Sequence, residues 1–219
     1  MIIALLGAES TGKTALAHAL AQQLQQQGKD AAAVDEYLRQ WCATHGRTPL
    51  QHEQLGIADE QQQRIAAAAA QHSIVVADTT ALMTAVYSDY VFSDSSLYAQ
   101  AAAQHSACDI TIVTGLDMPW QPDGIQRDGE HARAPVDTLL RHALANAKVA
   151  YHTVYGLGQQ RLMNAIHCIA AINSVANQAV NTCAIEQNSS KKWTWACDKC
   201  SDADCEHQLF AQLVQGKPA

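Results

Sequence analysis

The chain has 219 residues, of which 48% are hydrophobic and 16% are charged, and its formal net charge is −7 at pH 7. This length favours one large domain with room for a small appendage. The acidic balance, with an isoelectric point near 5.7, argues against a surface for nucleic acid or for anionic membranes, because phosphate-rich partners require a basic face.

Signals for secretion or membrane insertion are not visible in the sequence. The first apolar stretch lacks the positively charged flank of a signal peptide, and no apolar run is long enough to span a bilayer. The seven cysteines are an odd number, which argues against a disulfide framework. We therefore expect a cytoplasmic protein, and the sequence leaves its oligomeric state, including a homo-oligomer, open.

The first predicted elements flank a phosphate-binding motif. The apolar run 2–6 predicts a strand, and the Gln- and Ala-rich segment 13–27 predicts a helix that ends at Gly28. Between them, residues 7–14 read Gly-Ala-Glu-Ser-Thr-Gly-Lys-Thr, the pattern G-x-x-x-x-G-K-[ST]. Its backbone N–H groups, its lysine and its last hydroxyl suit a nucleoside triphosphate with magnesium, and the alternative is a Gly-rich turn with an incidental lysine. The residues expected to bind ATP are Gly7, Glu9, Ser10, Thr11, Gly12, Lys13 and Thr14.

A second candidate group follows the weak strand predicted at 31–34. Asp35 and Glu36 close this strand, and the helix predicted at 36–45 carries Tyr37 and Arg39. In a small-molecule kinase, a carboxylate at this place takes the proton of the acceptor hydroxyl, and Arg39 lies on the same helical face as Glu36. These four residues are therefore candidates for substrate binding. The alternative is a carboxylate at a helix start that pairs with a surface arginine.

A third candidate lies at the end of the next strand. Pro49 opens a long helical stretch through Ala70, and the β-branched segment 73–77 predicts a strand that ends at Asp78. Ligands of open α/β sheets gather outside the carboxyl ends of the strands, so Asp78 is expected to hold Mg²⁺ together with Thr14. The alternative role for Asp78 is to cap the following helix. Helices are predicted at 80–92 and 95–105.

The segment after the strand predicted at 109–113 is a polar loop, residues 115–134, which is too long for a simple connection. Arg127 and Arg133 are expected to close over the transferring phosphoryl group and to neutralise its charge. Trp120 offers a flat face to a planar ring, and it would attract a cationic ring. The alternative is a flexible surface loop with a buried tryptophan anchor.

The remaining elements complete an alternation of strands and helices. This alternation predicts an α/β fold of three layers, with a parallel sheet covered on both faces, as in P-loop NTPases and nucleoside kinases. The expected parts are a helix at 135–147, a strand at 149–154, a helix at about 158–173, a P-loop NTPase domain over 1–173, a linker over 174–192 and a small Cys-rich tail over 193–219.

The tail has the spacing C-x2-C-x4-C-x-H, formed by Cys197, Cys200, Cys205 and His207. Four such ligands can close a tetrahedral Zn²⁺ shell, which would be structural because no coordination position stays open. Two alternatives remain: reduced cysteines on a polar tail, and a redox-active C-x-x-C pair.

The motifs together resemble the ribosylnicotinamide kinase domain of the NadR-type NAD-salvage proteins, which is grouped with the AAA-like P-loop ATPases. The matching residues cover about 1–170 and are the phosphate loop 7–14, Glu36-Tyr37-Leu38-Arg39, Ala77-Asp78-Thr79-Thr80, Asp117-Met118-Pro119-Trp120, Asp123-Gly124 and Arg127. The resemblance implies ATP-dependent phosphorylation of the ribose hydroxyl of nicotinamide riboside. It also implies acceptor and magnesium roles for Glu36 and Asp78, and it puts Trp120 and Asp123 on the acceptor side.

We therefore predict a magnesium- and ATP-dependent kinase of a small nucleoside-like acceptor, nicotinamide riboside above others. Its expected catalytic residues are Lys13, Glu36, Asp78, Arg127 and Arg133. The alternative is an ATP-binding switch or partner-binding module with a metal-binding tail, which would hydrolyse ATP slowly and would not respond to an acceptor.

Overall fold

The computed structural model describes residues 1–121 and 129–182, with side chains up to residue 172. The chain divides into two units, Met1–Ser174 and Val175–Ala219, and the sheet and the candidate site both belong to the first. Within the described residues, none of the helices combines the length and the hydropathy of a membrane-spanning segment.

In the described part of the chain, five strands alternate with helices. The strands are β1 (Ile2–Leu6), β2 (Ala31–Val34), β3 (Ile74–Asp78), β4 (Ile110–Thr114) and β5 (His152–Val154). The helices are α1 (Lys13–Gln26), α2 (Tyr37–His45), α3 (Gln54–Ala69), α4 (Ala81–Phe92), α5 (Tyr98–His105), α6 (Arg133–Asn146) and α7 (Gly158–Thr182). Single 3₁₀ turns lie at Gln51–Glu53 and Glu130–Ala132.

The strands form one parallel sheet in the order β2-β3-β1-β4-β5. The central strand β1 pairs with β3 so that Leu5 lies opposite Asp78, and with β4 so that Leu6 lies opposite Val113. The loop after β1 therefore starts beside the carboxyl ends of both neighbours. This arrangement brings Asp78 to the edge where the phosphate loop begins.

Helices cover both faces of the sheet, which confirms the three-layer fold. On one face, Leu16 and Leu20 of α1 and Leu162 of α7 pack with Ile3 and Ile112 of the sheet. On the other face, apolar side chains of α4 and α6 pack on Leu6 and Val113, among them Leu82, Val86, Leu140 and Leu144. The nearly continuous apolar strands thus have both faces buried, as parallel sheets require.

Several boundaries differ from the sequence prediction. Strand β5 begins at His152 because only His152, Thr153 and Val154 pair with β4, whereas the prediction started at 149. Helix α7 runs to Thr182, into the segment predicted as a linker. That segment is polar, but residues 174–182 contain neither Gly nor Pro, so nothing in their backbone chemistry ends the helix.

Candidate functional site

The phosphate loop joins β1 to α1 and needs both of its glycines. Gly7 and Gly12 have φ values of +146° and +75°, a region that L side chains rarely adopt. A Cβ at Gly7 would also overlap the Thr114 hydroxyl on β4. Within the loop, the Ala8 carbonyl accepts hydrogen bonds from Thr11 Oγ1 at 2.7 Å and from Lys13 Nζ at 2.9 Å. The sequence motif therefore has the backbone conformation that it predicts.

Thr14 and Asp78 lie together at the start of α1 and the end of β3. Thr14 Oγ1 donates to Asp78 Oδ2 at 2.5 Å, and the Asp78 side chain is fully buried. Among the described residues, Asp78 Oδ1 has no hydrogen-bond partner. A buried carboxylate with an unpaired oxygen beside a hydroxyl fits a hard divalent cation, because Mg²⁺ prefers oxygen ligands and takes few of them from protein.

Asp78 does not cap α4, the alternative role considered for it. The N-cap of α4 is Thr80, whose Oγ1 accepts a hydrogen bond from Leu82 N at 3.3 Å. The strand end is instead held from α3 by Gln61, a buried residue that the sequence analysis did not single out. Gln61 Nε2 lies 3.5 Å from the carbonyl oxygens of Asp78 and Thr79, and its Oε1 accepts from Tyr37 N–H at 2.7 Å.

One cavity of about 500 Å³ opens over the phosphate loop. Among the residues that the structure describes, the lining outside residues 9–15 comes entirely from residues 36–92. These residues are Glu36, Leu38 and Arg39 at the start of α2, Thr48, Pro49 and Leu50 in the following loop, Gln54 of α3, and Tyr87, Val91 and Phe92 of α4. The sequence motifs pointed to the two charged residues of this set, but not to Pro49, Leu50, Val91 or Phe92, because these positions in the 46–50 loop and on α4 carry no motif.

Of the four residues predicted to bind substrate near β2, only Glu36 and Arg39 line this cavity. Arg39 Nη2 lies 3.8 Å from Glu36 Oε2, and the Glu36 side chain is 19% exposed. Asp35 is exposed and bonds to His18 Nε2 of α1 at 2.8 Å instead. The Tyr37 ring lies under the Arg64 guanidinium, 4.3 Å from it, and also outside the set of lining residues.

The loop after β4 lies against the phosphate loop. Trp120 Nε1 and the Gly129 N–H donate to Glu9 Oε1 at 3.2 and 3.1 Å. Ser10 Oγ donates to the Gln121 carbonyl at 2.7 Å. Trp120 is half-buried and is not among the lining residues of the cavity, so here its indole anchors the loop. Asp123 and Arg127 lie outside the described residues.

The sequence prediction put Arg133 in the loop, but in the structure Arg133 begins helix α6. It is buried, it donates from Nη2 to the Leu116 carbonyl at 3.2 Å, and it is not a lining residue of the cavity. The helix start could not be recognised in the sequence, because the residues around it are polar and the turn Glu130–Ala132 leads into α6 without a side-chain cap.

The structure adds Arg161, which the sequence pattern did not reveal. This buried residue of α7 donates from Nη1 to the Thr11 carbonyl, from Nη2 to Asp117 Oδ1, and from Nε to the Gly156 carbonyl at 2.7 Å. Burial alone would raise the pKa of Asp117, but the Gly156 N–H and the Arg161 guanidinium hold it below its usual value. In the sequence, Arg161 is one polar residue on an amphipathic helix, without any motif around it.

The four predicted zinc ligands, Cys197, Cys200, Cys205 and His207, lie outside the described residues. Within the part of the chain that the structure describes, no group of three or more His, Cys, Asp or Glu side chains is gathered as a metal site.

Solved structures with this fold include P-loop kinases. NadR protein in complex with NR is 20% identical with a TM-score of 0.61, and the match covers 79% of this chain and 50% of that one. NadR protein in complex with NAD and AMP-PNP is 17% identical with a TM-score of 0.56, covering 89% and 51%. Thymidylate kinase from Ehrlichia chaffeensis is 16% identical with a TM-score of 0.54, covering 78% and 98%. The chain thus spans about half the length of the NadR chains.

No curated protein matches the sequence. A family model for the AAA domain, by contrast, matches residues 2–161, well over half of the chain. This match and the NadR structures confirm the resemblance that the motifs indicate. The chain belongs to the AAA domain family.

Proposed function

We propose that the protein is an ATP-dependent kinase that phosphorylates a hydroxyl group of a small nucleoside-like acceptor, nicotinamide riboside above others. The observation that carries this proposal is the single cavity over the phosphate loop, which has Lys13 and Thr14 in one part of its lining and Glu36 in another. A triphosphate on the loop and an acceptor beside Glu36 would therefore share one space. A cavity of about 500 Å³ is within the usual range for small-molecule sites.

The charges of the lining favour an acceptor without a phosphate group. Outside the phosphate loop, Arg39 is the one cation among the described lining residues, and it lies 3.8 Å from Glu36. A nucleotide acceptor would require cations for its own phosphate. Six of the ten lining residues outside the loop are apolar or aromatic, which suits a ring: Leu38, Pro49, Leu50, Tyr87, Val91 and Phe92.

In the proposed reaction, the acceptor oxygen attacks the γ-phosphorus of ATP and the bond to the bridging β–γ oxygen breaks. The hydroxyl proton passes to the Glu36 carboxylate, and ADP leaves. Lys13 leaves the Ala8 carbonyl and pairs with the outer phosphates. Thr14 and Asp78 would hold Mg²⁺, which would supply charge neutralisation at the phosphate oxygens.

Three further roles in the proposal rest on the sequence. Arg127 belongs to the loop expected to close over the phosphoryl group, and Asp123 and Trp120 belong to the acceptor side by resemblance. Arg133 holds the Leu116 carbonyl, so we assign it to positioning this loop and not to touching phosphate. Nicotinamide riboside is supported by the resemblance to ribosylnicotinamide kinases and by the NR in the NadR structure.

The test is transfer of radiolabelled phosphate from ATP to a panel of nucleosides that includes nicotinamide riboside. The Glu36→Gln variant should keep its ATP affinity and lose about 10²–10⁴-fold in transfer rate, the usual contribution of a general base. The matched control is Glu60→Gln, because Glu60 pairs with Arg64 on the surface of α3 and does not line the cavity. If no nucleoside is phosphorylated, the kinase proposal is wrong and an ATP-dependent switch takes its place. If Glu36→Gln transfers phosphate like the wild type, the protein is a kinase but Glu36 is not its general base.

A further inference from the structure

We propose that Arg161 is a positioning residue, which sets the direction of the Thr11–Gly12 peptide so that the Gly12 N–H faces the phosphates of ATP. The inference rests on the proposed function only in so far as ATP is the ligand of the loop. It concerns a residue 150 positions away from Thr11 in the sequence, on the first turn of α7.

The contact between Arg161 and the phosphate loop is buried. The Arg161 side chain is 3% exposed, and its Nη1 donates to the Thr11 carbonyl oxygen. Both Nη1 of Arg161 and the sulfur of Met118 lie so close to Gly12 that a Cβ there would meet them at 3.9 and 2.8 Å. The back of the loop at Gly12 is therefore closed by these two side chains.

A donor on the Thr11 carbonyl determines where the next N–H points. Because the peptide bond is planar and trans, the carbonyl of Thr11 and the N–H of Gly12 point in opposite directions. With the carbonyl held on the Arg161 side, the N–H is directed away from Arg161. Gly12 lines the cavity over the loop, so this direction is the one that a phosphate oxygen needs.

The carbonyls of Ala8 and Thr11 in the loop are satisfied in different ways. The Ala8 carbonyl accepts from Thr11 Oγ1 and Lys13 Nζ, which belong to the loop itself. The Thr11 carbonyl accepts from a side chain outside the loop. A carbonyl buried without a donor would be costly, so the loop conformation at Thr11 depends on α7.

Arg161 is itself held on three sides, so it acts through the backbone and does not reach phosphate. Asp117 Oδ1 accepts from its Nη2, and the Gly156 carbonyl accepts from its Nε at 2.7 Å. Asp117 is fixed in turn, because its Oδ2 accepts from the Gly156 N–H at 2.6 Å. A guanidinium engaged in this way has a defined orientation, which a lysine could not reproduce.

The experiment removes the pair without changing net charge. The double variant Arg161→Met with Asp117→Asn loses one positive and one negative charge. A change in ATP affinity therefore cannot be attributed to a change in the net charge of the protein. We expect the Kd for Mg-ATP, measured by calorimetry, to rise about ten- to hundred-fold, the worth of one hydrogen bond to a charged group. The Kd for tripolyphosphate should rise by the same factor, because this probe has no base.

The matched control is Arg141→Met with Asp137→Asn, a pair on α6 with an Nε to Oδ2 distance of 2.7 Å and no part in the cavity. It should bind ATP within about twofold of the wild type, since distant sites act independently. Circular dichroism and urea unfolding show that each variant is folded under the titration conditions. If the Arg161 double variant does not fold, Arg161→Lys replaces it, with an expected loss of about tenfold because one ammonium lacks the fork.

A folded Arg161 variant with wild-type ATP affinity would overturn the inference. So would a loss for ATP without a loss for tripolyphosphate, because Arg161 would then act on the base. The proposed function fails differently: wild-type protein would bind ATP and phosphorylate no acceptor, and the effect of Arg161 on phosphate affinity would remain.

Discussion

The imidazole of His105 is expected to make folding stability depend on pH. His105 ends helix α5 and is 2% exposed. Its Nδ1 lies 3.0 Å from Thr80 Oγ1 and its Nε2 lies 2.9 Å from Thr111 Oγ1, so the ring bridges the N-cap of α4 to strand β4. A neutral ring satisfies both contacts, with one nitrogen accepting and the other donating. Burial lowers the pKa of His105 from 6.5 to about 4.

The sign and size follow from the two pKa values. Because the pKa is lower in the folded state, the unfolded chain binds the proton more readily below pH 6.5. The contribution of neutral His105 to stability is therefore complete above that pH and is lost as the pH falls toward 4. The loss is about 1 kcal/mol at pH 5.5 and about 2–3 kcal/mol at pH 4.5.

The measurement is urea unfolding of the wild type and of His105→Gln between pH 7.5 and 4.5. Glutamine keeps one donor and one acceptor but does not titrate, so the unfolding free energy of the wild type should fall relative to that of the variant by about 2–3 kcal/mol across this range. The same exchange at His142, which is exposed on α6, controls for the substitution itself. Parallel pH profiles of the wild type and His105→Gln would refute the reasoning.

Three further outcomes are expected at the phosphate loop and its neighbours. Asp78→Asn should lower ATP turnover on the order of 10²-fold and require more Mg²⁺, because the amide holds the cation beside Thr14 poorly; phosphate release against Mg²⁺ concentration measures this, and unchanged turnover would contradict it. Gly12→Ala should cost about 1–2 kcal/mol in urea unfolding and weaken ATP binding, since φ is +75° there, and a variant of wild-type stability would argue against this backbone strain. Trp120→Phe removes the indole donor to Glu9, with an expected loss of about 1–3 kcal/mol in urea unfolding, and no loss would mean that this bond is not formed in solution.

The parts of the fold with a local signature could be predicted from the sequence. Apolar runs bounded by turn residues gave the central strands within one residue, and the phosphate loop followed from its motif. Asp78 and Thr14 could be paired because parallel strands end at the same edge. The residue pattern alone did not separate Asp35 from Glu36, and the family resemblance singled out Glu36. Neighbouring residues at a strand end point to opposite sides, and in the structure Glu36 lines the cavity whereas Asp35 contacts His18.

The features that escaped prediction depend on residues far apart in the chain. Arg161 meets Thr11 across 150 residues, and a lone arginine on an amphipathic helix gives no sign of its partner. Leu50 and Val91 lie far apart in the sequence, and both are exposed in the structure. They line the same cavity only because the fold brings α4 and the 46–50 loop together. The sequence prediction put Arg133 in the loop because the residues around it are polar and because α6 begins there without a capping side chain.

The cavity walls and the residues that support the phosphate loop come from different segments of the chain, and this separation has an evolutionary consequence. Among the described residues, the cavity walls outside the phosphate loop all come from residues 36–92, whereas Trp120, Gly129 and Arg161 support the loop from beyond β4. Substitutions in the first segment can alter the shape of the cavity without disturbing the side chains that support the phosphate loop. Under the proposed function, such a scaffold would let related proteins change the alcohol that they phosphorylate while ATP stays the phosphate donor.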